Sequence, residues 1–186
     1  MHTRVIIKKL NSNIMFNKIK LLELLDNKKI NYKIFNHPAL HSVKDSINMR
    51  GIIDGAHTKN LFLKNKKNDY FLFSCLESTI IDLKLLKKNL NLGNISFAKA
   101  NYLKEILHVN PGSVSPFGLL NDSNNKVSFF LDNKLTEYKI INFHPLENTS
   151  TISISLNNFL NFMSEHKKLV NFINFDNYKI EDERSN

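Results

Sequence analysis

One cysteine, no tryptophan, four prolines and five glycines in 186 residues already exclude several kinds of protein. A lone Cys75 allows no internal disulfide and no cysteine-built zinc site, and it suits a reducing compartment. It follows the apolar run YFLFS and reads as a small buried hydrophobe. No apolar run approaches the ~20 residues of a membrane helix, so no membrane partner is expected. The opening stretch MHTRVIIKKLNSN has no long apolar segment of the secretory kind, and a cytoplasmic location is expected. The chain has no GxxxxGK[ST], GxGxxG or HExxH and no GxSxG elbow. These absences speak against a P-loop, a dinucleotide fingerprint, a zinc hydrolase and a standard serine hydrolase. No metal and no cofactor are expected.

What is present is charge and pattern. The formal net charge is +9. A basic balance favours anionic partners, nucleic acid first, by steering and phosphate neutralisation. The chain is also rich in Asn, Lys and Ile throughout, so no single surface lysine argues for a partner. With 42% hydrophobic and 23% charged residues, the composition is that of a soluble globular domain.

Helical spacing of Ile14, Ile19, Leu22 and Leu25 predicts an amphipathic helix over 14–28. INYKIF alternates and predicts a strand. NHPAL breaks it, with His37 as a turn residue. HSVKDSINMRG predicts a short helix capped by Ser42 and closed by Gly51. HTKNLFLKNKKNDYFLF (57–73) predicts two strands joined by a charged turn. Helices are expected over IIDLKLLKKNLNLG and SFAKANYLKEILHV. Strands are expected in KVSFFLDNKL, YKIINF and TISISL, and a last helix in LNNFLNFMSEHKKL. Helices and strands intermix with hairpin-like links, which predicts a mixed α/β or α+β fold rather than a doubly wound parallel sheet. The expected division is an N-terminal extension (1–13), one domain (14–170) and a polar, frayed tail (171–186).

Three segments break local rules. Lys59 shares a period-2 face with Leu61 and Leu63, and a buried lysine is costly unless it meets an acceptor. A lysine near a strand end can also snorkel to water. PGSVSPFG (111–118) concentrates Gly and Pro, and small residues beside Gly112 leave backbone N–H groups able to bind an oxygen. An ordinary rigid turn would look the same. FHPLENTST (143–151) sets His144, Asn148 and Thr149 before an alternating strand. A histidine there can hydrogen-bond, move protons or merely hold the loop.

Together, GAHTKNLFLKNKKNDYFL (55–72), PGSVSPFGLLND (111–122) and FHPLENTSTISIS (143–155) resemble the YbaK/prolyl-tRNA synthetase-associated editing domain family, in order and in separation. The likeness runs from about Ile14 to His166 and is strongest to the branch acting on alanyl-tRNA(Pro). The resemblance implies a mixed, partly barrel-like sheet surrounded by helices, and hydrolysis of the ester on mischarged tRNA(Pro). Lys59 matches the family's essential lysine, holding the terminal nucleotide or the ester region. Asn60 would set the amino group or ribose. Gly112, Ser113, Val114, Ser115 and Pro116 would cradle the aminoacyl carbonyl, with Asn148 and Thr149 also at the substrate. His144 would line the pocket and position substrate or water. Lys64, Lys66 and Lys67 would meet tRNA phosphates, and Lys84, Lys87 and Lys88 are further candidates. The expected partners are the aminoacyl end and acceptor stem of tRNA(Pro), with transient contact to prolyl-tRNA synthetase, and the expected state is a monomer. Two alternatives stay open: removal of cysteine, serine or an analogue instead of alanine, and a silent module that docks on tRNA or a synthetase.

Overall fold

A computed structural model of the chain describes residues 15–39 and 53–181. The expected helix with Ser42 and Gly51, the extension 1–13 and residues 182–186 lie outside the described residues. The elements run α1 (Lys18–Asn27), β1 (Tyr32–Asn36), β2 (Ala56–Lys64), β3 (Tyr70–Leu76), α2 (Leu83–Asn89) and β4 (Ser96–Phe97). A short helix α3 (Ala100–Tyr102) leads into a wide turn (Leu103–Leu107), and a 3-10 turn follows (Pro116–Asn121). Then come β5 (Val127–Asp132), a 3-10 turn (Asn133–Glu137), β6 (Ile140–Phe143), β7 (Ser150–Ser155), α4 (Leu156–Glu165), β8 (Val170–Asn174) and β9 (Lys179–Glu181). The fold is mixed α+β.

The strands form one sheet in the order β1-β7-β6-β2-β3-β5-β8-β9, with β4 added beside β2. β1 and β9 stand at its two ends, so the sheet is open and is not a closed barrel. β2 pairs antiparallel with β3 across the charged turn, Lys59 opposite Cys75 and Lys64 opposite Tyr70. The Asn65 side chain shapes that turn, accepting from the N–H groups of Lys67 and Asp69.

Period-2 alternation assigns the two faces of the sheet to two cores. Ala56, Phe62, Leu72, Phe129, Leu131, Ile141, Phe143, Ile152 and Ile154 pack in the larger core with α1, α4 and the 3-10 turn at Phe117. Leu63, Phe71, Phe73, Cys75, Phe130 and Ile173 pack in the smaller core with Leu86 of α2. Phe117 sits at the centre of the larger one, edge-on to Phe143 (6.0 Å between ring centres), Phe159 (5.9 Å) and Phe162 (5.9 Å).

Four elements differ from the sequence reading. In α1 the buried pair is Leu21 and Leu25, whereas Ile19 is 66% exposed. The expected helix over 96–109 is divided. Phe97 pairs with Leu63 and Ala98 N–H donates to Phe62 O, because the far end of β2 needs a neighbour that β6 does not supply. Leu103, Ile106 and Leu107 are buried as expected, and the turn ends at His108 with φ 53°. The polar end of the chain is not frayed over residues 176–181. β8 extends the sheet beside β5, β9 pairs back on β8, and Tyr178 is buried with its hydroxyl accepting from Asp82 N–H (2.7 Å). Pairing and one buried ring outweigh the polar composition there.

Phe117→Ala is expected to cost about 3–5 kcal/mol, through lost burial plus the cavity left behind. Phe97→Ala, at a ring that is 62% exposed, should stay within about 1 kcal/mol. Urea unfolding of both variants measures the difference.

Candidate functional site

The site begins where β2 runs out of one neighbour. β2 pairs with β6 only at Ala56–Ile141 and His57–Asn142, yet stays on β3 from Thr58 to Lys64. The strands therefore part just beyond His57. Lys59 lies at that parting, half-buried, on the face of Leu61 and Leu63 as the alternation predicts. Its ammonium donates to the backbone carbonyl of Thr79, from the link between β3 and α2. A cation is thus held at a sheet seam by a neutral acceptor.

Cys75, directly across from Lys59, is no nucleophile. Burial pushes its thiol up to about 12, against the pull of the Lys59 ammonium and with the help of Asp132. Asn60 leaves β2 on the opposite face, towards the larger core, because adjacent strand residues point to opposite sides. Its Oδ1 accepts from Ser74 Oγ (2.5 Å). The two residues of the KN pair therefore serve different sides of the sheet.

A buried polar row on β6 and β7 lies beside the parting. Asn142 and Ser153 are paired in register, and Ser153 Oγ donates to Asn142 Oδ1. Asn142 Nδ2 donates to Asp54 O (2.9 Å), and Thr58 Oγ1 donates to Asn142 O (2.7 Å), which ties β2 to β6 at the seam. Two residues beyond Asn142 stands His144, with Nδ1 2.9 Å from the carbonyl of Ser150. A carbonyl only accepts, so Nδ1 carries the proton and Nε2 is the basic nitrogen. Burial lowers the His144 pKa below its ordinary 6.5, the Ser150 bond opposes this, and nearby His37 lowers it further. The imidazole is neutral at pH 7.

His37 lies with its ring centre 6.1 Å from that of His144. Its Nδ1 donates to Pro38 O (2.9 Å) and its Nε2 accepts from Thr151 Oγ1 (3.0 Å). The sequence reading made His37 a turn residue. The signal that could have paired the two was the repeated His-Pro step, His37-Pro38 and His144-Pro145. Thr79, Asp132, Asn142 and Ser153 were also missed, since their neighbours come from distant strands.

The loop after His144 is braced from outside. Glu147 accepts from Lys18 Nζ of α1 (2.8 Å), Thr149 Oγ1 (2.7 Å) and Ser150 Oγ (3.1 Å). The Thr149 hydroxyl is therefore engaged in holding the loop, and Asn148 lies half-buried within it. In the segment 111–118, Gly112 takes φ 85°, the left-handed conformation that favours glycine. Ser113 N–H donates to Asn110 O (3.0 Å). Ser115 caps the 3-10 turn that Pro116 opens, accepting from Phe117 N–H (3.4 Å). Val114 packs against the larger core. Phe117 against Phe143 fixes this segment to the residue before His144. A side chain at Gly118 would meet Leu107 Cβ at 3.1 Å, so glycine lets the turn lie close.

Lys66 and Lys67 are exposed on the β2–β3 turn, while Lys64 is half-buried. The Lys64 ammonium donates to Asn68 (2.8 Å) and lies 4.1 Å over the Tyr102 ring. Lys64 lies five positions beyond Lys59 along β2, roughly 16 Å at the rise of a β-strand. Lys84 and Lys88 are exposed on α2, and Lys87 is half-buried. Among the described residues no group of three His, Cys, Asp or Glu is placed to hold a metal ion, and no helix is long and apolar enough to cross a membrane.

Known proteins resemble this chain in sequence and in fold. The family model of the aminoacyl-tRNA editing domain matches residues 37–162, a span that contains His37, Lys59, Gly112 and His144. The prolyl-tRNA synthetase associated domain-containing protein 1 of Xenopus laevis is 35% identical over 147 residues, 75% of this chain and 86% of that one. The prolyl-tRNA editing protein ProX of Acetoanaerobium sticklandii is 30% identical over 141 residues, 74% and 85%. A crystal structure described as that of a candidate trans-editing enzyme for prolyl-tRNA synthetase has a TM-score of 0.61 at 17% identity, over 84% of this chain and 96% of that one. It shares the fold. The chain belongs to the aminoacyl-tRNA editing domain family, in its YbaK/prolyl-tRNA synthetase-associated group.

Proposed function

We propose that the protein is a trans-editing deacylase that cleaves the ester joining a wrong amino acid, alanine above all, to tRNA(Pro). The observation that carries this reading is the Lys59 ammonium at the β2–β6 parting, beside a strand that leads to a neutral, half-buried His144. A fixed cation suits a terminal phosphate or the oxyanion that develops on the ester carbonyl. A neutral imidazole with a basic Nε2 suits a water molecule.

In the reaction, water oxygen bonds to the ester carbonyl carbon and the bond from that carbon to the ribose oxygen breaks. The ribose oxygen leaves with a proton as a hydroxyl, the amino acid leaves as a carboxylate, and one proton goes to solvent. Lys59 stabilises negative charge, and His144 positions the water and takes its proton. An aminoacyl ester is already activated, so placement and charge stabilisation supply the acceleration. Asn60 and the backbone from Gly112 to Ser115 hold the aminoacyl end. Asn148, Thr149, Val114 and Pro116 shape its surroundings. Lys64 at the end of β2, with Lys66 and Lys67 on the turn that follows, would meet acceptor-stem phosphates. The need for such an enzyme is physical: a pocket built for proline also admits the smaller alanine, and missing methylenes give only about 1–3 kcal/mol of discrimination. Prolyl-tRNA synthetase is the source of the misacylated substrate, and a monomer acting in the cytoplasm fits this role.

Purified protein should release alanine from alanyl-tRNA(Pro) faster than cysteine or serine from the corresponding tRNAs. Lys59→Ala should cut that rate about 100-fold or more. Salt-sensitive tRNA binding without release from any mischarged tRNA would identify a silent docking module instead. Protonating His144 removes its basic nitrogen, so kcat should fall on the acid side with a midpoint below pH 6.5, and His144→Ala should abolish that limb. Cys75→Ala should leave turnover intact, and the native thiol should react with alkylating reagents only on unfolding.

A further inference from the structure

Asp132 has no solvent exposure, yet Lys134, the lysine nearest to it in sequence, gives its ammonium to Asp176 (2.7 Å). A buried carboxylate is costly unless its acceptors are filled. One oxygen of Asp132 accepts the Lys134 N–H (3.1 Å), which caps the 3-10 turn Asn133–Glu137. The other accepts from the Thr79 hydroxyl (3.0 Å). Thr79 is also the residue whose carbonyl receives the Lys59 ammonium. One residue thus joins a buried anion to the cation of the site.

The register explains how this comes about. Lys59 is the partner of Cys75 on β3, and Ser74, the residue before, is the partner of Leu131 on β5. Asp132 follows Leu131, so β2, β3 and β5 present Lys59, Cys75 and Asp132 in a row on one face. Both charges act on the thiol between them. The link carrying Thr79 then closes over the row, and Thr79 N–H donates back to Leu76 O (3.0 Å).

We propose that Asp132 is a positioning residue for Lys59, acting through Thr79. This deepens the reading of Lys59 given above and rests on it for its catalytic meaning. A free lysine side chain samples many rotamers, and a loosely held cation stabilises a developing charge poorly. The Asp132–Thr79 bond fixes the orientation of the Thr79 peptide, and its carbonyl in turn fixes the ammonium. The capping role uses the other oxygen, so the two tasks are separable.

The test compares Thr79→Val, Thr79→Ser and Asp132→Asn with the natural protein. Lysines are labelled with trace acetic anhydride, and Lys59 is quantified by mass spectrometry against exposed Lys66 and Lys67 of the same molecules. Lys59 labelling should rise about fivefold in Thr79→Val and Asp132→Asn, with kcat on alanyl-tRNA(Pro) down about tenfold and KM little changed. Thr79→Ser, which keeps the hydroxyl, should match the natural protein in both. Thr79→Val leaves the cap untouched, so it decides the matter even if Asp132→Asn unfolds. Unchanged Lys59 labelling in Thr79→Val overturns the proposal. Labelling needs no substrate, so a protein that deacylates nothing would defeat the functional reading alone.

Discussion

β2 is shared between two sets of neighbours and cannot follow both along its whole length. It holds β6 for two residue pairs and β3 for seven. Everything that matters at the candidate site follows from this parting. It leaves Lys59 at a seam, where its ammonium reaches a loop carbonyl instead of a flat run of sheet. It leaves the far end of β2 in need of another partner, which β4 supplies at Leu63 and Lys64. It also sets Asn142 at the junction, where its side chain and backbone bond to Ser153, Asp54 and Thr58.

The sheet has a core on each side, and the polar groups of the site sit along the boundary between them. Lys59 borders the smaller core, and Asn60 faces the larger one. The rigid parts are aromatic: Phe117 locks the 111–118 segment on Phe143, and Phe143 lies beside His144 in the chain. The brace from Lys18 to Glu147 adds a tie from α1 to the loop after His144. With Lys18 24% and Glu147 38% exposed in their side chains, this pair is worth more for position than for stability.

Some of this was legible in the residues. The odd placement of Lys59 on an apolar face was visible in period-2 pattern, and the structure gives it the acceptor that such a lysine requires. The positive φ at Gly112 and the capping by Ser115 agree with a built turn at PGSVSPFG. The resemblance placed Lys59 and Asn60 at one substrate, and strand geometry sends their side chains to opposite faces of the sheet. Thr149 read as a substrate residue and is found bonded to Glu147. β8 and β9 went unrecognised because VNFIN and KIE are short and mixed in polarity. Their stability comes from β5 beside them and from the buried Tyr178 ring.

The sequence by itself determined the mixed fold class, most of the strands, the period-2 face of Lys59 and the likeness of three separated segments to an editing domain. Those properties rest on local spacing and residue type, which a linear chain carries. Only the tertiary structure decided that β2 parts from β6 after His57, that His37 meets His144, and that Asp132 reaches Lys59 through Thr79. These depend on which strands lie side by side and in what register. Residues 53 positions apart, such as Thr79 and Asp132, acquire a hydrogen bond only when β3 and β5 pair in parallel.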